Sequence, residues 1–122
     1  MYADHTPLQI AAQVVMGAFF IFHGVKNTIK WRVNLERIRV MGFPAPPVIL
    51  VAGFAAQYPG ALMVMADWHA NLGVAALIGF TVGASAVFHR FWRMPDPVRA
   101  EYHFLLLTYN VFVIAALLLL VR

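Results

Sequence analysis

The sequence predicts an all-α fold: a four-helix transmembrane bundle with a basic segment between its first and second spans. Three observations predict it. Residues A, V, I, L, M, F, W, Y and C make up 62% of the 122 residues and charged residues only 11%, against about 25% charged in an ordinary soluble domain. A soluble fold this small has too little interior to hide that much apolar surface, and disorder requires the opposite composition. Residues 8–25, 44–66, 70–88 and 102–121 contain no Asp, Glu, Lys or Arg, and each stretch is long enough to cross about 30 Å of hydrocarbon. Lipid satisfies no exposed backbone group, so each stretch is read as a helix, and residues 1–122 form a single integral membrane domain.

The elements follow in order. Thr6-Pro7-Leu8-Gln9 is a capping box with proline at the first helical position, which opens the first span. No basic residue precedes that span and no A-x-A follows it, so it is read as a span rather than a cleavable signal. Residues 27–43 are ambiguous. Ile29, Trp31, Val33 and Leu35 alternate with Lys30, Arg32 and Asn34, and on a helix the apolar residues split into two arcs; a short interfacial helix and an irregular stretch both fit. Pro44, Pro46 and Pro47 punctuate the entry to the second span. Pro59 inside it removes one backbone hydrogen bond and should free the Ala55 carbonyl, giving either a kink satisfied by a neighbour or an opening for a ligand.

The third span carries Gly79-Phe80-Thr81-Val82-Gly83, extended one turn earlier by Ala75. Such a ridge lets helix backbones approach closely in lipid. Packing within the bundle is expected, with a homodimer seam as the alternative. Gly17 and Gly24 on the first span, and Gly53 and Gly60 on the second, repeat at heptad distance. Asp96-Pro97 reads as the N-cap and first position of the fourth helix, which therefore begins near residue 98, ahead of its apolar part, and runs to about 121. Trp31, Trp68, Phe91 and Trp92 sit where interfacial aromatic belts are expected.

The net charge is +4, but the basic residues flank apolar segments. They are read as topology signals and contacts to anionic lipid headgroups, not as a nucleic-acid surface. Lys26, Lys30, Arg32, Arg37 and Arg39 fall in one loop and Arg90, Arg93 and Arg99 in the other, against Arg122 alone on the opposite side. The positive-inside rule then places both termini outside the cytoplasm, in a bacterial inner membrane. The chain has no cysteine, which excludes disulfides, thiolate iron–sulfur ligation and CxxC redox chemistry.

Polar residues within a bilayer are functional candidates by default. A middle layer holds Gln57, Thr81, Tyr109 and Asn110, which interhelical hydrogen bonds explain. A second layer lies at the basic end: His23 and Lys26 close the first span, His89 and Arg90 the third, and Glu101, Tyr102 and His103 open the fourth. Thr81, Ser85 and His89 form an i, i+4, i+8 stripe, and His103 and Asn110 share a face, so the two stripes should meet. Four readings compete: histidines bonded to carbonyls, water or lipid phosphate; a quinone-headgroup site, which needs donors and a proton route; a metal site from His23, His89, His103 and Glu101, without a spacing motif to support it; and bis-histidine haem. A quinone is the cofactor favoured, over metal or haem. At the other end Met63, Met65, Asp67 and His69 have the residue types of a copper site and the spacing of ordinary packing. No catalytic residue is identified.

At Phe20-Ile21-Phe22-His23-Gly24-Val25-Lys26 the chain resembles the DoxX family, whose first helix ends in His-Gly followed closely by Lys. The resemblance continues through Met41-Gly42-Phe43-Pro44, through Gln57-Tyr58-Pro59-Gly60-Ala61-Leu62, and to a third helix closing on His89. It implies a four-helix membrane bundle akin to small subunits of thiosulfate:quinone oxidoreductase, with His23, Lys26 and His89 at matching positions and Gln57 where relatives carry Glu. The expected role is a subunit of a larger redox complex with a quinone headgroup near His23, His89 and His103 and proton exchange at Glu101. The alternative is a non-catalytic accessory subunit on a respiratory or photosynthetic complex. Partner membrane subunits follow from either.

Overall fold

The structure is a computed structural model that describes residues 4–89 and 91–121. Arg90 and Arg122 of the basic count, and the Phe91 ring, lie outside the described residues. The described chain forms helices α1 (Pro7–Ile29), α2 (Trp31–Val40), α3 (Pro46–Ala66), α4 (Ala70–Phe88) and α5 (Pro97–Leu118), with a short 3-10 turn at Phe91–Arg93. Helices α1, α3, α4 and α5 are each long and apolar enough to cross a membrane; the chain is a multi-pass membrane protein.

The helix starts follow local chemistry. The Thr6 hydroxyl accepts from the Gln9 amide while the Gln9 side chain accepts from the Thr6 amide, so two of the unsatisfied donors at the start of α1 are paired. Asp96 caps α5 by accepting from the Val98 amide at 3.0 Å. Helix α3 begins at Pro46, two residues after the Pro44 entry, and continues through Pro59. Helix α1 outlasts its apolar stretch and carries Lys26 into its last turn, where the helix dipole favours a cation.

Residues 31–40 are helical, which resolves the ambiguity of the basic segment. Only Lys30 separates α2 from α1. The inward positions of α2 are Trp31, Asn34, Leu35 and Ile38, while Arg32, Val33, Glu36, Arg39 and Val40 are exposed. The periodicity is helical once Asn34 is counted with the packed face. Its Nδ2 donates to the Asn27 carbonyl at 3.0 Å, satisfying an acceptor near the broken end of α1. Helix α2 lies against α1, α3 and α4 and lids one end of the bundle.

The four long helices pack as a chain of neighbours: α1 on α3, α3 on α4, α4 on α5. Among the described residues the backbones of α1 and α5 do not come within packing distance of each other. Antiparallel order is fixed by contacts such as Gln13 with Val64 and Ser85 with Asn110. The packed core of Phe20, Ala61, Val64, Val74, Leu77 and Leu117 occupies the half of the bundle away from α2.

The close approach of α3 and α4 rests on Gly60 and Gly73. A Cβ at Gly73 would lie 2.9 Å from the Gly60 carbonyl oxygen and 3.0 Å from the Met63 Cβ. The Gly79–Gly83 ridge, by contrast, takes no part in this packing: a Cβ at either would meet nothing within 4 Å. The expectation that it packs inside the bundle is corrected, because Gly73, Ala76, Leu77 and Phe80 supply the α3-facing surface instead. Gly73→Val is therefore expected to lower stability by about 2 kcal/mol through overpacking, and Gly79→Ala to leave it unchanged, as read by thermal unfolding in detergent.

Candidate functional site

Because α1 and α5 do not close on each other, a cavity of ≈ 1050 Å³ remains in the half of the bundle next to α2, with all five helices contributing to its wall. Its deeper wall is apolar, with Phe20, Phe80, Leu106 and Val113 among the lining residues. Gly79 and Gly83 also line it, and the open space beside their Cα atoms adds to its width. At the α2 end the lining turns polar and basic.

Two histidines form the centre of that end. His89, at the end of α4, and His103, buried on the second turn of α5, face each other with Nδ1···Nδ1 at 3.0 Å. One ring donates and the other accepts, so a neutral pair retains one Nε2–H donor and one bare Nε2 acceptor. Burial first, then His103 and Arg37, hold His89 down to a pKa of about 4; it is neutral at pH 7. One step deeper, the Asn110 Nδ2 donates to the Ser85 hydroxyl at 2.9 Å, and the Ser85 and Thr81 hydroxyls donate back to carbonyls of their own helix. The two polar stripes meet as the sequence suggests.

His23 and Lys26 line the same cavity. His23 is not part of the pair; its ring lies against Phe19 at 4.5 Å and Phe22 at 5.3 Å. Glu101 is exposed and does not line the cavity. The geometry thus brings together four of the five candidates at the basic end and leaves out the carboxylate assigned to proton exchange. Tyr109 lines the cavity but stays largely exposed.

Gln57 is the mid-depth feature. It is 1% exposed, its Nε2 donates to the Phe20 carbonyl at 2.8 Å, and its Oε1, like that of Gln13, is buried without a hydrogen-bond partner among the described residues. A buried acceptor left bare costs about 1–3 kcal/mol.

Several residues at the site carry no signal in the sequence beyond that of topology. Arg37 is half-buried, its guanidinium over the Phe88 ring at 4.8 Å. Burial and the nearby Arg99 hold it below its ordinary range, though a guanidinium remains charged throughout. Lys30 and Arg99 also line the cavity, beside Tyr102 of the expected polar layer. The available signal was the excess of basic over acidic residues in the two loops. Gln13, a lone amide in the first span, is likewise unmarked in the sequence: it donates to the Val64 carbonyl at 2.9 Å and to Asp67 Oδ1 at 2.8 Å.

No family model, no curated protein and no solved structure matches the chain.

The His89 environment sets a pH dependence. An unfolded histidine takes up its proton near 6.5, whereas His89 in the folded chain resists down to about 4. Between those values the unfolded state binds more protons, so acid favours unfolding. Thermal stability in detergent is expected to hold above pH 6.5 and to fall from there towards pH 4, with a shallower fall in His89→Asn.

Proposed function

We propose that the chain is a membrane-embedded binding subunit whose cavity takes an amphiphile, headgroup at the α2 end and tail along the apolar wall. The observation that carries this reading is the polarity gradient of one cavity, from lysines, arginines and an imidazole pair at the α2 end to phenylalanines below. Ligand sites of this kind are mostly apolar, with a few convergent polar groups, and ≈ 1050 Å³ is ample for a headgroup and the first part of a chain. The absence of α1–α5 packing gives an occupant a route from the bilayer that requires no opening of the core.

A second reading, a quinone headgroup held for a larger redox complex, is favoured by the His89–His103 pair. The pair offers one donor and one acceptor side by side, and the DoxX-like residues His23, Lys26 and His89 fall in the cavity wall. With Glu101 outside the cavity and Gln57 in place of a carboxylate, proton exchange in this reading passes through the imidazoles. In either reading the basic end faces the cytoplasm and both termini lie outside it.

The test is native mass spectrometry of the chain purified in mild detergent. One amphiphile per chain is expected to survive purification. Leu106→Trp, which fills the cavity, is expected to weaken retention about tenfold, the equivalent of roughly 1.4 kcal/mol, while leaving thermal unfolding intact. Wild-type protein recovered bare, or equal retention by the variant, contradicts the proposal.

A further inference from the structure

The acidic residues near the α2 end are all engaged or turned away. Glu36 is bound by Arg39, its Oε2 accepting from the Arg39 Nε at 2.9 Å. Asp96 caps α5. Glu101 is exposed and off the cavity wall. The cavity wall itself contains no Asp or Glu among the described residues, while Lys26, Lys30, Arg37 and Arg99 all line it.

Among the described residues none of these four cations is in an ion pair. The plane of Arg37 is taken by the Phe88 ring and its neighbour is another cation, Arg99. Holding Arg37 and Arg99 near each other with Arg37 partly desolvated is unfavourable unless an anion joins them; Lys26, Lys30 and Arg99 are themselves exposed at the cavity mouth. A guanidinium fork suits phosphate oxygens in bidentate geometry, and lysine ammonium groups add point charge. His89, being neutral at pH 7, contributes hydrogen bonding rather than charge.

We infer that the cavity is selective for an acidic, phosphate-bearing lipid, its phosphate held by Arg37, Lys26, Lys30 and Arg99 and its chain lying on the phenylalanine wall. The inference rests on reading the cavity as an amphiphile site and names the headgroup class. Surface basic residues on membrane proteins attract anionic lipids diffusely. This site differs in that Arg37 is half-buried and oriented, and in that the basic groups continue into an apolar cavity of one and the same outline. The continuity selects a lipid phosphate over free phosphate.

The experiment uses the full chain in detergent micelles, titrated with phosphatidylglycerol, with phosphatidylcholine of the same chains, with ubiquinone, and with inorganic phosphate, and read by native mass spectrometry. Phosphatidylglycerol is expected to bind at least about tenfold more tightly than phosphatidylcholine, the scale of one charge-assisted contact. Arg37→Gln is expected to erase most of that preference, Arg37→Lys to keep part of it, and Arg39→Gln, on the exposed face and paired with Glu36, to leave it unchanged. Thermal unfolding checks each fold; if Arg37→Gln unfolds, Lys26→Gln decides.

Equal binding of phosphatidylcholine or ubiquinone, insensitive to Arg37→Gln, overturns the acidic-headgroup inference while the amphiphile reading stands. Binding of no amphiphile overturns both. Displacement of phosphatidylglycerol by millimolar inorganic phosphate assigns the site to the free anion and overturns the lipid.

Discussion

The hydrogen bond from Gln57 to the Phe20 carbonyl, together with its counterpart from Gln13 to the Val64 carbonyl, is the contact on which the rest of the bundle depends. The two bonds are reciprocal: each helix lends an amide to the other's backbone, and donor and acceptor on each helix are seven residues apart. In lipid there is no hydrophobic gain from joining two apolar helices, so packing and interhelical hydrogen bonds decide how they meet. A pair of such bonds two turns apart sets both the depth and the rotation of α1 on α3. Gly17 lies between them and meets Ala61 and Met65 of α3, which is why the backbones come close enough for the amides to reach.

Everything at the α2 end follows from that register. With α1 tied to α3, and α3 tied to α4 through Gly60 and Gly73, three helices form a rigid wall. Among the described residues the backbone of helix α5 approaches only α4 and the 3-10 turn. It is held by Asn110 to Ser85, by His103 to His89, and by Leu117 and Leu120 in the core. The imidazole pair therefore both fastens α5 and forms part of the cavity. Gln57, whose amide locks α1 to α3, is also among the residues lining the cavity, so one residue joins the fold's register to the site.

The legible parts of this arrangement were those governed by local or periodic rules. Thr6, Gln9, Asp96 and Pro97 announce helix starts wherever they occur before an apolar run, and the stripes Thr81, Ser85, His89 and His103, Asn110 share faces by helical arithmetic alone. The Gly79–Gly83 ridge misled because small residues state that a close approach is allowed, not that a partner is present. The face of α2 was obscured because its packed position Asn34 is polar, and its role is to satisfy a carbonyl left bare by a helix break that sequence does not mark. Arg37 was hidden for a related reason. A basic residue in a loop counts the same for topology whether it points to water or folds back over a phenylalanine, and only the packing of α2 across the bundle end separates the two.

The central claim is that the gap between α1 and α5 is an occupied lipid site rather than ordinary bilayer-facing surface. Photo-cross-linking from two adjacent positions on α5 tests it most directly: a photoreactive side chain at Leu106, in the cavity wall, and at Leu105, exposed outside it, with adducts identified by mass spectrometry from native membranes. The account predicts one dominant amphiphile at Leu106, enriched in acidic lipid, and the mixed composition of the bulk bilayer at Leu105. The same mixed spectrum at both positions would contradict it.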